Sequence, residues 1–119
     1  GLVPLAGSYN ESRCQGLDGL TSREADYYQQ GSRFAKWLTA VSMPNGPYEL
    51  TVKEAAWRLE RYSGISQDNG LVPIVEPEIL LDCEHGIERT FEVSHKVWSE
   101  TFYAMAVNNV MFQGILLKP

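Results

Sequence analysis

Metal-site and redox spacings are missing from this chain. It has only two cysteines, Cys14 and Cys83, set far apart, and neither His85 nor His95 has a second ligand at a metal-binding interval. The cysteines read as reduced thiols of a reducing compartment, and no metal or other cofactor is expected. His85, in the loop DCEHG, and His95 take surface or helix-start roles. No apolar run is long enough to span a bilayer. Clustered positive charge is lacking as well: ten Lys and Arg are scattered among fifteen Asp and Glu, for a formal net charge of −5. Nucleic acids and anionic membranes bind concentrated basic surfaces, so neither is an expected partner. No Gly-x-Gly-x-x-Gly follows an apolar run, which disfavours a dinucleotide site, and Gly16 and Gly19 of QGLDGL read as loop glycines.

What is present suits one globular unit: 119 residues, 44% hydrophobic and 21% charged. Short apolar runs alternate with longer segments of helical spacing. Leu2 to Leu5 reads as the tail of a strand, followed by a Gly/Ser/Asn-rich loop through Gly19. A helix is expected over Ser22 to Gly31, with Thr21 or Ser22 as cap and Glu24 and Asp26 favouring its positive first turn. Phe34 to Val41 is the next strand, closed by the turn Pro44-Asn45-Gly46-Pro47. Leu50 to Gln67 carries Val52, Ala55, Ala56, Leu59 and Tyr62 at core spacing, with Lys53, Glu54, Arg58, Glu60 and Arg61 on the wet face. Thr51 and Glu54 there form a candidate capping box.

Asp68-Asn69-Gly70 stops that helix, and Leu71 to Leu80 is a third strand. Ile87 to Asn108 is a helix with Phe91, Trp98, Phe102 and Met105 inward; Trp57 is likewise expected to pack against the strands. Met111 to Leu117 is the last strand. Strand starts recur roughly every 40 residues with one helix between, the rhythm of βαβ units in a parallel sheet. Polar groups gathered at strand ends make this an α/β fold of the (β/α)8 TIM-barrel type. A whole barrel takes about 250 residues, so residues 1–119 amount to about half of a single barrel domain. Both ends, Gly1 running straight into LVPLAG and Pro119 directly after Lys118, are expected to be cut from a longer chain.

The chemistry lies at those strand ends. Glu76 and Glu78 close the apolar run LVPIVEPEIL, and their spacing by two puts both on one face. Lys118 closes the run GILLKP, and Lys36 lies within FAKW. Ionisable groups are costly in buried strands, so these four together ask for a chemical role. The set suits covalent amine catalysis. Lys118 attacks a carbonyl as a neutral amine, with its pKa lowered by burial or by Lys36 as a neighbouring cation. A glutamate then moves protons as water leaves. The resulting iminium is an electron sink that lets a carbon–carbon bond break without a metal.

The strings GLVPLAGS, QGLDGL, RFAKW, NGLVPIVEPEIL, NNVMF and GILLKP closely resemble class I fructose-bisphosphate aldolases, most of all the plastid type of plants and green algae. The resemblance covers the whole chain. It implies that Lys118 is the Schiff-base lysine, that Glu76 donates and accepts the proton in carbinolamine dehydration, and that Glu78 is its electrostatic and hydrogen-bonding partner. It implies that Lys36 positions substrate and lowers the nucleophile's pKa. The implied reaction is reversible, metal-independent cleavage of fructose 1,6-bisphosphate to dihydroxyacetone phosphate and glyceraldehyde 3-phosphate, serving glycolysis, gluconeogenesis and the Calvin cycle. A homotetramer in the plastid stroma is implied, with the cytoplasm as the alternative compartment.

The chain departs from the family pattern in two places: Leu38 stands where the family has an arginine, and Cys83 where a glycine is usual. The family's C4-hydroxyl aspartate, its phosphate-binding serine and arginine, and its C-terminal tyrosine would lie outside these residues. Two readings therefore stand beside each other. One is an aldolase, active as the full-length protein. The other is an aldolase-derived fragment with a binding or structural role only. A transaldolase-like Schiff-base barrel fits the strings poorly.

Overall fold

The apolar runs around the two glutamates fold as neighbouring strands of one parallel sheet. The computed structural model describes residues 1–42, 49–80, 84 and 86–119. The order is β1 (Leu2–Pro4), β2 (Ser12–Cys14), α1 (Leu20–Gln29), β3 (Phe34–Val41), α2 (Glu49–Asp68), β4 (Val72–Ile79), α3 (Ile87–Val107), a 3₁₀ turn (Phe112–Gly114) and β5 (Leu116–Leu117). The turn expected at Pro44-Asn45-Gly46-Pro47, and the readings of Cys83 and His85, lie outside the described residues. No described helix is long and apolar enough to cross a membrane.

The main sheet has the order β3-β4-β5, all parallel. Phe34 pairs with Val72 and Val41 with Ile79, while Ile74 and Val75 pair with Leu116 and Leu117. Alternation then sorts the side chains. Thr39, Val41, Pro73 and Val75 are buried beneath the helices. Val41 joins Val52, Ala55, Val93 and Val97 in one cluster, and Val75 joins Leu59, Tyr62 and Met105 in another. Each such fully buried aliphatic side chain stabilises by roughly 1.5–3 kcal/mol. Lys36, Leu38, Glu76, Glu78, Leu116 and Lys118 share the opposite face.

Two prolines lie inside β4, and the hydrogen-bond pattern explains why they are tolerated. Val72 and Leu80 donate to Arg33 and Val41 beside β3, whereas Val75 accepts from Lys118 beside β5. Even-numbered residues thus bond towards β3 and odd-numbered ones towards β5. Pro73 and Pro77 are odd, and β5 is too short to reach either. Pro77 therefore does not end the strand, which continues through Glu78.

Several expectations are corrected. The amino-terminal run does not join the parallel sheet; β1 pairs antiparallel with β2, a strand too short and polar to stand out in the loop. Helix α1 begins at Leu20 with Gly19 in the left-handed region, φ 69°, and no side-chain cap. Arg23 instead secures the loop by donating to the carbonyls of Gly16 and Asp18. Glu24 is not a first-turn surface charge. It is buried and accepts from Ser66 Oγ of α2 at 2.9 Å, and burial pushes its carboxyl up.

In α2, Thr51 lies inside the helix rather than capping it, and Glu54 pairs with Arg58 at 2.8 Å instead of closing a capping box. The helix does stop where expected: Leu71 N–H returns to the Ser66 carbonyl, and Gly70 takes φ 77°. The core positions of α2 are buried as expected, but Glu60 is buried with them. In α3 the buried stripe is Val93, Val97, Thr101, Ala104 and Met105, so Phe91 and Phe102 face outward. The aromatics pack along the outer surface, Trp98 on Phe102 at 5.8 Å and Phe102 on Phe112 at 6.3 Å. Trp57 is exposed as well. The expected strand Met111 to Leu117 shrinks to Leu116–Leu117, preceded by the 3₁₀ turn.

Two outcomes follow from this packing. The face opposite the helices exposes Phe34, Val72 and Leu116, at 66%, 40% and 56% of their surfaces. Residues 1–119 expressed alone should therefore bind a hydrophobic dye and self-associate; a sharp, cooperative melt of a soluble monomer would contradict this. Glu60 is fully buried, neither oxygen has a hydrogen-bond partner among the described residues, and burial pushes its carboxyl from 4.5 to about 8. Because that pKa is raised on folding, its stability contribution is complete below about pH 4.5 and declines as pH rises through about 8, by a few kcal/mol. In the full-length protein the urea midpoint should fall across this window. The Glu60→Gln variant should be flatter, and an identical slope in both would refute the assignment.

Candidate active site

One carboxylate organises the uncovered face of the sheet. Glu76 leaves β4 at the position opposite Leu38 of β3, flanked by Lys36 on one side and Lys118 on the other. Lys118 Nζ donates to Glu76 Oε1. Lys36 Nζ lies 2.6 Å from Oε2. Each oxygen thus meets the ammonium of a different neighbouring strand. Glu76 is only 4% exposed although it sits on the open face, because the lysine side chains close over it.

The charges follow from the contacts. The Lys118 hydrogen bond, with Lys36 second, holds the Glu76 carboxyl below its ordinary value against the opposing effect of burial. The Glu76 hydrogen bond in turn holds the Lys118 amine above its ordinary value, outweighing desolvation, and Glu78 adds to the effect. Lys118 is therefore an ammonium in this arrangement. Here the structure departs from the expected neutral amine beside a second cation. Lys36 does not act on Lys118 directly; the two share one anion between them.

The four candidate residues are thus placed on one face: Lys36, Glu76 and Lys118 in contact, and Glu78 one step further along β4 and exposed. Leu38, half-buried, lies between Lys36 and Ala40 on the same face. His95 stands apart on α3, exposed and tilted against Phe91 at 6.3 Å. Cys14 is a free thiol in β2, and burial pushes it up, away from thiolate chemistry.

One contributor was invisible in the sequence. Tyr62 looked like an ordinary core aromatic of α2, but its hydroxyl lies 2.5 Å from the Ile74 carbonyl oxygen and 3.2 Å from that of Ala35. It thereby bridges β3 and β4 just behind Lys36. Burial pushes the phenol far up, so it keeps the proton it donates, and Trp37 stacks on its ring at 5.3 Å. No spacing rule separates such a phenol from a packed one.

A carboxylate placed between two amines can pass protons to and from either one. Phosphate groups could pair with the same lysines. The family model "Fructose-bisphosphate aldolase class-I" matches residues 1–119. A chloroplastic fructose-bisphosphate aldolase of Oryza sativa subsp. japonica is 81% identical across the whole chain, which spans 31% of that protein. Chloroplastic fructose-bisphosphate aldolase 2 of Pisum sativum is 77% identical, with 34% of it spanned, and chloroplastic aldolase 1 of Chlamydomonas reinhardtii 57%, with 32% spanned.

Among solved structures, the fructose-bisphosphate aldolase of Plasmodium falciparum, crystallised with TRAP and a small-molecule inhibitor, superimposes with a TM-score of 0.98. It is 48% identical over the whole chain, which spans 35% of it. The chain therefore covers about a third of the relatives it matches, and its parallel sheet with outer helices is a portion of their barrel. By sequence and by fold, this chain belongs to the class I fructose-bisphosphate aldolase family.

Proposed function

We propose that residues 1–119 are an internal portion of a single TIM-barrel domain, and that the full-length protein is a metal-independent fructose-bisphosphate aldolase with Lys118 as its Schiff-base nucleophile. The observation that carries this reading is the Glu76 carboxylate held between Lys36 and Lys118. A lysine kept as an ammonium cannot attack a carbonyl, so the proton must leave first. The nearest acceptor is already bonded to it. Passing the Lys118 proton to Glu76 frees the amine as a ketose carbonyl arrives, and the same carboxyl returns a proton to the carbinolamine oxygen as water departs.

The iminium then draws the electron pair of the breaking C3–C4 bond of fructose 1,6-bisphosphate, while the C4 hydroxyl gives its proton to the base that the family resemblance puts outside these residues. Glyceraldehyde 3-phosphate leaves, and dihydroxyacetone phosphate remains as the enamine until it is protonated and hydrolysed. Glu78 extends the negative field along β4 and supports the charged nitrogen of Lys118. Lys36, released from Glu76 once that carboxyl is protonated, is placed to meet an anionic substrate group. The names of the plant proteins it matches support a plastid site of action, and the family resemblance supports a homotetramer. A fragment without catalysis is the weaker reading, since all four site residues are present on one face.

Reductive trapping tests the nucleophile. With dihydroxyacetone phosphate and borohydride, the full-length protein should gain a stable adduct at Lys118, and Lys118→Ala should abolish it; an undiminished adduct in that variant would refute the assignment. Glu76→Gln should slow trapping by roughly 100-fold or more, the scale of lost acid–base catalysis. It should also move the rising limb of the pH–rate profile to lower pH, because the anion that stabilises the Lys118 ammonium is gone. Trapping at the normal rate and pH would remove Glu76 from the mechanism.

Position 38 offers a second test. Leu38 lies on the site's face beside Lys36 and opposite Glu76. A guanidinium there would add a bidentate phosphate contact, so Leu38→Arg should lower the KM for the bisphosphate by roughly 10-fold. An unchanged KM would show that substrate phosphate does not pass this position.

A further inference from the structure

Gln67 sits in the last turn of α2, and its carboxamide grips the backbone of Met111 with both ends. Nε2 donates to the Met111 carbonyl oxygen at 2.8 Å, and the Met111 N–H donates to Oε1 at 2.8 Å. Only one orientation of the amide satisfies both bonds, because a flipped group would set donor against donor and acceptor against acceptor. The same carbonyl also accepts from Gly114 N–H at 3.0 Å, which closes the 3₁₀ turn. Gly114 lies so close that a Cβ there would stand 3.0 Å from Gln67 Nε2. Side-chain amide, turn and glycine form one unit.

That unit stands directly upstream of the lysine-bearing strand. Among the described residues β5 pairs with β4 as Ile74 with Leu116 and Val75 with Leu117, and Lys118 N–H adds a bond to the Val75 carbonyl at 2.9 Å. On this side few ladder bonds fix its register. A slip by one residue would turn Lys118 to the helix side, away from Glu76. Val110 and Ile115 pack on the core at either end of the approach, but between them Met111 and Phe112 are 63% and 45% exposed. Within that exposed stretch the Gln67 clamp holds the chain.

We propose that Gln67 is a positioning residue of the active site: by clamping Met111 it sets the register of β5 and so aims Lys118 at Glu76. The proposal rests on Lys118 being the nucleophile. A glutamine that merely tied down a helix end would affect stability alone. Asn69 provides that comparison, because its side chain bonds the Ile65 carbonyl at 2.9 Å within the same helix end.

In the full-length protein, Gln67→Leu keeps the bulk and removes both hydrogen bonds. It should lower kcat by roughly 10- to 100-fold, the cost of a misplaced reacting group, with KM changed by less than about threefold. Borohydride trapping of dihydroxyacetone phosphate should slow by the same factor. Asn69→Leu should lower Tm comparably while kcat stays within about twofold. A Gln67→Leu protein with a lowered Tm but normal kcat and trapping would overturn the proposal, with Lys118 still the nucleophile in the parent. A parent protein that gives no adduct at Lys118 would overturn both readings together. Should Gln67→Leu fail to fold, Gln67→Glu replaces it. Its carboxylate still accepts from Met111 N–H but opposes the carbonyl, so kcat should fall by a smaller factor, and normal kcat there would likewise overturn the clamp.

Discussion

A single anion between two cations sets the form of this site. Without Glu76, Lys36 and Lys118 would present two ammonium groups on neighbouring edges of one sheet face, a repulsive pair with no counter-charge between them. With it, each lysine finds an oxygen of its own and the three strands converge on a point. The arrangement depends on register. Glu76 must lie opposite Leu38 in β3, and β5 must place Leu116 beside Ile74, or the lysines would reach different faces. Much of the remaining structure can be understood as fixing those two alignments.

The helices do that work from the far side of the sheet. α2 lies across β3 and β4 with Val52, Ala55, Leu59 and Tyr62 buried, and the Tyr62 hydroxyl touches carbonyls of both strands. Its last turn reaches the segment before β5 through Gln67. One helix thus contacts the backbone beside every strand of the site, without placing a side chain on the face that carries Glu76. Outer packing supplies the rigidity, as in barrel folds, but Lys36 and Glu76 stand inside β3 and β4 rather than at the strand ends where they were expected.

The sequence was most legible where period and composition agreed. β3 and β4 were visible as apolar runs, the core of α2 followed helical spacing, and Gly70 marked its stop. Charge and volume were harder to read. Glu24 and Glu60 looked like ordinary wet-face carboxylates, yet both are buried, because helical spacing gives an angle around the helix and not the position of neighbouring elements. Phe91 and Phe102 were expected inside on hydrophobicity, but the buried stripe of α3 runs through Val93, Val97, Thr101, Ala104 and Met105 instead. β5 shrank to two strand residues because a 3₁₀ turn, closed by Gly114 N–H on the Met111 carbonyl, occupies the positions before it. Alternation put Glu76 and Glu78 on one face, and strand order put Lys36 and Lys118 near them at one rim; that all four share a face follows from the register. What alternation could not show was that the two lysines share Glu76 rather than act on each other.

Under the proposed mechanism, that sharing changes how Lys118 is activated. A second cation lowers a lysine's pKa permanently, at the cost of repulsion in the resting site. A bonded carboxylate does the reverse at rest, holding the amine protonated, and releases it only when the proton moves. Under the proposed mechanism the iminium that follows is again a cation at the same nitrogen. Glu76 would then face equal charge before attack and after dehydration, and only the steps between would require its protonated form. A site of this kind needs no large rearrangement to return to its starting state. Lys36 supplies the asymmetry: bonded to the other oxygen, it keeps Glu76 a weak base at rest, so proton transfer waits for a carbonyl that consumes the freed amine.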